Sequence, residues 1–228
     1  MTYKLNEHAG NAVRVWILLV AALVLGFTFS SVPNAAAQTV IPPTTPAAIT
    51  PPEGNRAFLV GHAFGTQGYV CLPASKPGDN PWAVNSARPE ATLFTDILGL
   101  PFQIITHFLS PDARPNKFAP EPVPLGGNAT WQSSLDSSRV WAAVTAQGGS
   151  IPAGSDPTSC PNSGSIPCLL LQSIGNQTGP TGGQFLANVT FIQRLNTKGG
   201  TVPTISCTVG QTQLVPYSAD YYFYRAEE

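Results

Sequence analysis

The stretch GHAFGTQGYVCLPA, residues 61–74, places three glycines, a histidine and a cysteine within eleven positions. It can be a ligand-cradling loop, a metal site or a bent strand, and the choice decides the fold class. Glycines at 61, 65 and 68 have the wrong spacing for a dinucleotide fingerprint. Neither a helical pattern nor a ribose-holding acid follows them. No Gly-Lys-Ser/Thr occurs in the chain, which removes the phosphate loop as well. Strand alternation fits instead. Phe58, Val60, His62, Phe64, Thr66, Gly68, Val70 and Leu72 take one face; Leu59, Gly61, Ala63, Gly65, Gln67, Tyr69 and Cys71 take the other. Small residues gathered on that second face predict close backbone approach, a bulge or a barrel corner.

Period-two segments recur along the chain, and no twelve-residue stretch has clean helical spacing between caps. A strand is predicted over 185–196, with Phe185, Ala187, Val189 and Phe191 on one face and Asn188, Thr190 and Arg194 on the other. Another is predicted over 215–224, where Val215, Tyr217, Ala219, Tyr221 and Phe223 alternate with more polar positions. Residues 130–135 and 139–145 flank Asp136-Ser137-Ser138 and read as a hairpin with a three-residue turn, bringing Trp131 near Trp141. Residues 91–94, 103–109 and 168–174 are further strand candidates. Long Pro/Gly-rich connectors lie at 76–81, 111–128 and 148–167. No repeat of 20 to 50 residues occurs, which disfavours propellers and solenoids. The expected fold is all-β: a single antiparallel β-sandwich or barrel with long loops.

The ends set the compartment. Lys4 and Arg14 precede an apolar run over 15–27, and Ala35-Ala36-Ala37 offers a cleavage site. Residues 1–37 therefore read as a signal peptide, with an uncleaved anchor as the alternative. Residues 38–55, rich in Pro, Thr and Ala, are expected to be a flexible tether without a core, and residues 56–228 a single β domain. The expected location is secreted, extracellular or periplasmic. All four cysteines, Cys71, Cys160, Cys168 and Cys207, fall in the exported part, so two disulfides are expected. Of three pairings we favour Cys160–Cys168 and Cys71–Cys207. Zinc spacing is missing among the cysteines. A site built from His62 and His107 would lack partners, so neither a metal nor a cofactor is expected. A net charge of −1 with no basic cluster excludes nucleic acid and membrane surfaces as electrostatic partners.

Five motifs appear in order: GTQGYVC (65–71), ITHFLSPD (105–112), SSLDSSRVWAAV (133–144), FIQRLNTKGG (191–200) and VPYSADYYFY (215–224). Together they resemble a family of exported bacterial and fungal proteins catalogued as a domain of unknown function. The resemblance implies no activity and no catalytic residues. Some fungal members carry a malate dehydrogenase label. The missing fingerprint, the missing βαβ alternation and the exported location argue against a nicotinamide-dependent enzyme here.

Two function classes remain. The first is a non-catalytic binding or surface/matrix module, whose partner is an extracellular polysaccharide or a surface protein. Trp82, Trp131, Tyr222 and Tyr224 are its candidate ligand platform, with Trp82 in a loop setting that favours exposure. The second is a hydrolase acting on polysaccharide or ester. His107 and Asp112, five residues apart, are its candidate catalytic pair. Asp136 reads as a turn residue, and no Gly-x-Ser-x-Gly elbow occurs.

Overall fold

The computed structural model describes residues 40–74, 76, 78–110, 128–146 and 148–227. The expected signal peptide, Asp112 and most of the 111–128 connector lie outside these residues. Nine strands follow one another: β1 (Asn55–Cys71), β2 (Trp82–Ile97), β3 (Leu100–Ser110), β4 (Asn128–Ser133), β5 (Arg139–Val144), β6 (Ser150–Ile151), β7 (Cys168–Gln177), β8 (Phe191–Gly199) and β9 (Thr212–Ala226). Each of β1 to β4 pairs antiparallel with the next; β5 pairs with β7, β7 with β8, β8 with β9, and β9 returns to β1. The sheet thus closes into a ring of eight strands, with the two-residue β6 added to the start of β7. The expected all-β architecture is realised as a barrel, formed as a simple meander. Eight strands leave an interior just wide enough for side chains to fill.

The register shows why the opening stretch is rich in glycine. Gly61, Ala63 and Gly65 pair with Tyr221, Ala219 and Tyr217 of β9. Paired residues share a face, so β1 offers Gly61 and Gly65 to the interior where β9 offers Tyr221 and Tyr217. Leu93, Ile105, Trp131, Ile192, Tyr221 and Phe223 complete a fully buried core. A Cβ on Gly65 would lie 2.0 Å from the carbonyl oxygen of Glu90. No other residue fits there without moving β2. Just beyond, the β1–β2 register shifts between Gln67 and Tyr69. The glycines serve a bend and a close approach, as the alternation predicts.

The hairpin 130–145 also forms, but Trp131 pairs with Val140 and Trp141 with Thr130. Neighbouring positions on a strand face opposite ways. Trp131 therefore enters the barrel and Trp141 takes the other face, and the expected packing of the two does not occur. The strand expected over 185–196 begins only at Phe191. Residues 185–189 are a turn that still buries Leu186, Ala187 and Val189. The cause is long-range: Asp136 Oδ2 accepts the Phe185 N–H (2.9 Å) and Ser138 Oγ accepts the Leu186 N–H (2.9 Å). Those donors serve the β4–β5 turn and are unavailable to a ladder.

Both expected disulfides are present, Cys71–Cys207 and Cys160–Cys168. The second sits in a small core on the outer wall of β7 and β8, with Ile49, Ile151, Leu170 and Leu195. Ile49 is fully buried there, and its carbonyl accepts the Gln193 Nε2–H at 2.5 Å. The expectation that residues 38–55 form a coreless tether thus fails around 46–51. The 3-10 turn Ala47–Ile49 presents one β-branched side chain to an apolar patch that the ring leaves outside.

Candidate functional site

His107 stands on β3 opposite Trp131 of β4, and both point inward. The two rings stack with centroids 4.1 Å apart and 12° between planes; Tyr221 tilts against both. The His107 Nδ1–H donates to the Thr130 carbonyl at 2.9 Å. Burial is the main force lowering its pKa to about 4; the Thr130 contact opposes this, and the positive charge of Arg194 adds to it. The imidazole is therefore neutral at pH 7. The Tyr217 and Tyr221 hydroxyls meet at 3.1 Å, and burial drives the Tyr217 hydroxyl well above its ordinary pKa. Arg194, paired with Tyr221 across the sheet, donates through Nε and Nη2 to the Pro167 carbonyl. The described contacts of His107 include no carboxylate. Its expected partner, Asp112, lies outside the described residues.

His62, by contrast, has a carboxylate. His62 of β1 and Asp220 of β9 are register partners on the outer wall, 2.7 Å apart through Nδ1 and Oδ1. Asn196 Nδ2 donates to the second Asp220 oxygen at 2.8 Å. The described contacts bring this half-exposed pair no hydroxyl or thiol nucleophile. It binds two strands and the β8 bulge together. Among the described residues, no group of three or more His, Cys, Asp or Glu could hold a metal ion. The sequence placed His62 and Asp220 in strands but could not set the register that joins them.

The aromatic platform is dismantled by the same closure. Trp82 is buried beside the Cys71–Cys207 bridge and donates Nε1–H to the Ile205 carbonyl at 2.8 Å. Its expected loop exposure is thereby corrected: the bridge brings residues 205–207 across it. Trp131 is 1% exposed, and its indole Nε1–H has no partner. Tyr224 is buried and donates its hydroxyl to Gln193 Oε1. Tyr222 packs partly buried against the outer core. Of the four, Tyr224 alone lines a cleft of about 280 Å³, which runs beside Pro43, Thr45, Asn55 and Gln193.

One exposed feature escaped the sequence reading. β1 pairs with β2 only as far as His62–Phe94, and β3 pairs with β4 only from Ile105–Ser133. Beyond those points β2 and β3 continue as a two-stranded arm through the pairs Thr95–Phe102, Asp96–Pro101 and Ile97–Leu100. Leu98 and Gly99 turn the chain with φ of 54° and 79°. Thr95, Ile97, Leu100 and Phe102 share one face; Phe94, Asp96, Pro101 and Gln103 share the other. Leu98 is 99% exposed and Leu100 61%, with Ile97 and Phe102 near half. A left-handed, fully exposed leucine opposes both local preference and solvation. The run ILGLPF carries the signal, but in sequence it is indistinguishable from a core segment.

No curated protein and no solved structure matches the chain. Among the described residues, no helix is long and apolar enough to cross a membrane. One family model matches residues 51–225, described as a protein of unknown function (DUF3455). That span includes the arm and all of the ring but the last residue of β9, and the chain belongs to this family.

Proposed function

We propose that the protein is an exported, non-catalytic barrel that works by docking at a cell surface or in an extracellular matrix. One observation carries this reading: the arm over 95–102 presents an amphipathic ribbon whose apolar face no described residue covers. Isolated two-stranded ribbons are marginal in water, and contiguous exposed apolar patches mark interaction sites. The two disulfides suit an oxidising compartment, and the leader pattern over 1–37 agrees with export. A surface protein is favoured over a polysaccharide, because Trp82 and Trp131 are unavailable for stacking on sugars. A hydrolase built on His107 loses support, since that ring is neutral, buried and engaged with Thr130.

The test compares wild type with a Leu98→Asp/Leu100→Asp variant. Each is co-sedimented with protein-bearing surface layers of the producing cell, and with cellulose and chitin as controls. Wild type should sediment with the surface layer alone, and the variant should stay in solution. Hydrolysis of a chromogenic ester or glycoside that disappears in a folded His107→Ala protein would overturn the reading. So would surface binding that the arm variant leaves intact.

A further inference from the structure

Resting on that docking role, we infer that the surface protein the arm meets is itself a copy of this chain already held in that layer or matrix, the two arms packing face to face across a two-fold axis. The ring closure leaves the barrel without a free sheet edge. Beyond the rim, however, the arm leaves the outer edges of β2 and β3 unpaired. Both edges discourage a further strand. In a hairpin with a two-residue turn, Ile97 and Leu100 exchange the first pair of hydrogen bonds, so Asp96 and Pro101 turn their backbone outward. Pro101 has no N–H to give on the β3 edge. Asp96 would set two like charges side by side if two β2 edges met. Edge-to-edge growth is blocked on both sides, and the apolar face is what remains.

That face suits its own copy. Asp96 is the one ionisable residue in the segment 94–104, and it belongs to the opposite face. A charged partner would find nothing on the apolar face to pair with, whereas a second such face meets no repulsion there. Ile97, Leu98, Leu100 and Phe102 together expose on the order of 500 Å² per chain, the size of the largest patches on typical monomers. Complete burial of these side chains on both copies would remove at most roughly 1,000 Å² from water, the size of a weak, transient interface. Because each copy contributes the same face, the contact closes at two and does not propagate into fibres. A bilayer is the less favoured occupant. Burying the arm in hydrocarbon would strip water from the unpaired backbone groups of both edges.

Analytical ultracentrifugation of the exported chain, with vesicle co-sedimentation alongside, decides the matter. Wild type should pass from one chain to two with a dissociation constant of about 1–100 µM. Leu98→Asp/Leu100→Asp should remain a single chain throughout, with an unchanged near-ultraviolet spectrum and Tm, because the arm lies outside the ring. Under mild oxidation, Leu98→Cys should yield a covalent dimer that the added Leu100→Asp change suppresses. Wild type that stays monomeric at several hundred micromolar, or a dimer that survives the double aspartate change, overturns the inference. Monomeric wild type that sediments with phosphatidylcholine vesicles, where the aspartate variant does not, also overturns it, assigning the face to a bilayer while leaving the docking role standing.

Discussion

Replacing Asp136 with asparagine tests the joint between the β4–β5 turn and the 179–189 loop. Oδ1 accepts the Ser138 N–H (3.0 Å) and the Ser138 hydroxyl (2.7 Å), and Oδ2 accepts the Phe185 N–H. Gly179 and Gly183 lie close enough that a Cβ on either would strike Asp136. Burial pushes the carboxyl upward, but the hydrogen bonds from Phe185, Ser138 and Ser133 outweigh it and hold the pKa down at about 2, from 3.8. The folded value lies below the unfolded one, so the native state is favoured wherever the unfolded carboxyl is ionised. That contribution is complete above pH 4 and vanishes as pH falls through about 2. Linkage sets its size at about 2 kcal/mol, nearer 1 once solvent screening of a half-buried group is allowed for. The asparagine side chain retains one acceptor oxygen and loses the charge. Equilibrium urea unfolding with disulfides intact should find Asp136→Asn less stable by about 1–2 kcal/mol at pH 7. The gap should narrow steadily as pH falls towards 2, where about half of the wild-type carboxyls are protonated too. A gap that holds constant from pH 7 to pH 2, or no gap at pH 7, refutes the reasoning.

Gly65→Ala should cost about 3 kcal/mol or more, because its Cβ meets backbone that cannot step aside, and secreted yield with thermal unfolding will report it. His107 should titrate near pH 4 by NMR; its depressed value means that the unfolded state binds the proton first. Stability should therefore fall by about 3 kcal/mol as pH drops from above 6.5 to below 4, and His107→Phe should remove that part of the slope. Replacing Cys160 and Cys168 by alanine should cost about 2.5 kcal/mol from the short loop alone. It should also loosen Ile49, seen as faster proteolysis around residues 46–51. A normal cleavage pattern there would separate Ile49 from the bridge.

Much of the fold was legible because strand alternation is a local property. The inward face of β1 follows from counting by twos through Gly61, Ala63, Gly65 and Gln67, and β9 reads in the same way from Tyr217 to Phe223. The cysteine pairing followed from loop lengths and the strands they join. Period two has no knowledge of partners, however. It marked Phe185–Val189 as a strand because the right residues are apolar, while Asp136 and Ser138, nearly fifty residues away, took the N–H groups a ladder requires. It could not see that His62 and Asp220 would meet, since 158 positions separate them.

By itself, the sequence of this protein determined a barrel-compatible set of strands, small residues where two backbones must approach, and no cofactor fingerprint. Tertiary structure alone decided that the ring closes through β9 and β1, that Trp82 is roofed by residues 205–207, and that Leu98 is left in water. The reason is that burial belongs to pairs of distant segments. Leu93 and Ile97 lie four positions apart on one strand with the same parity, yet the first is fully buried and the second half exposed. Between them, at Phe94, the pairing of β2 with β1 ends.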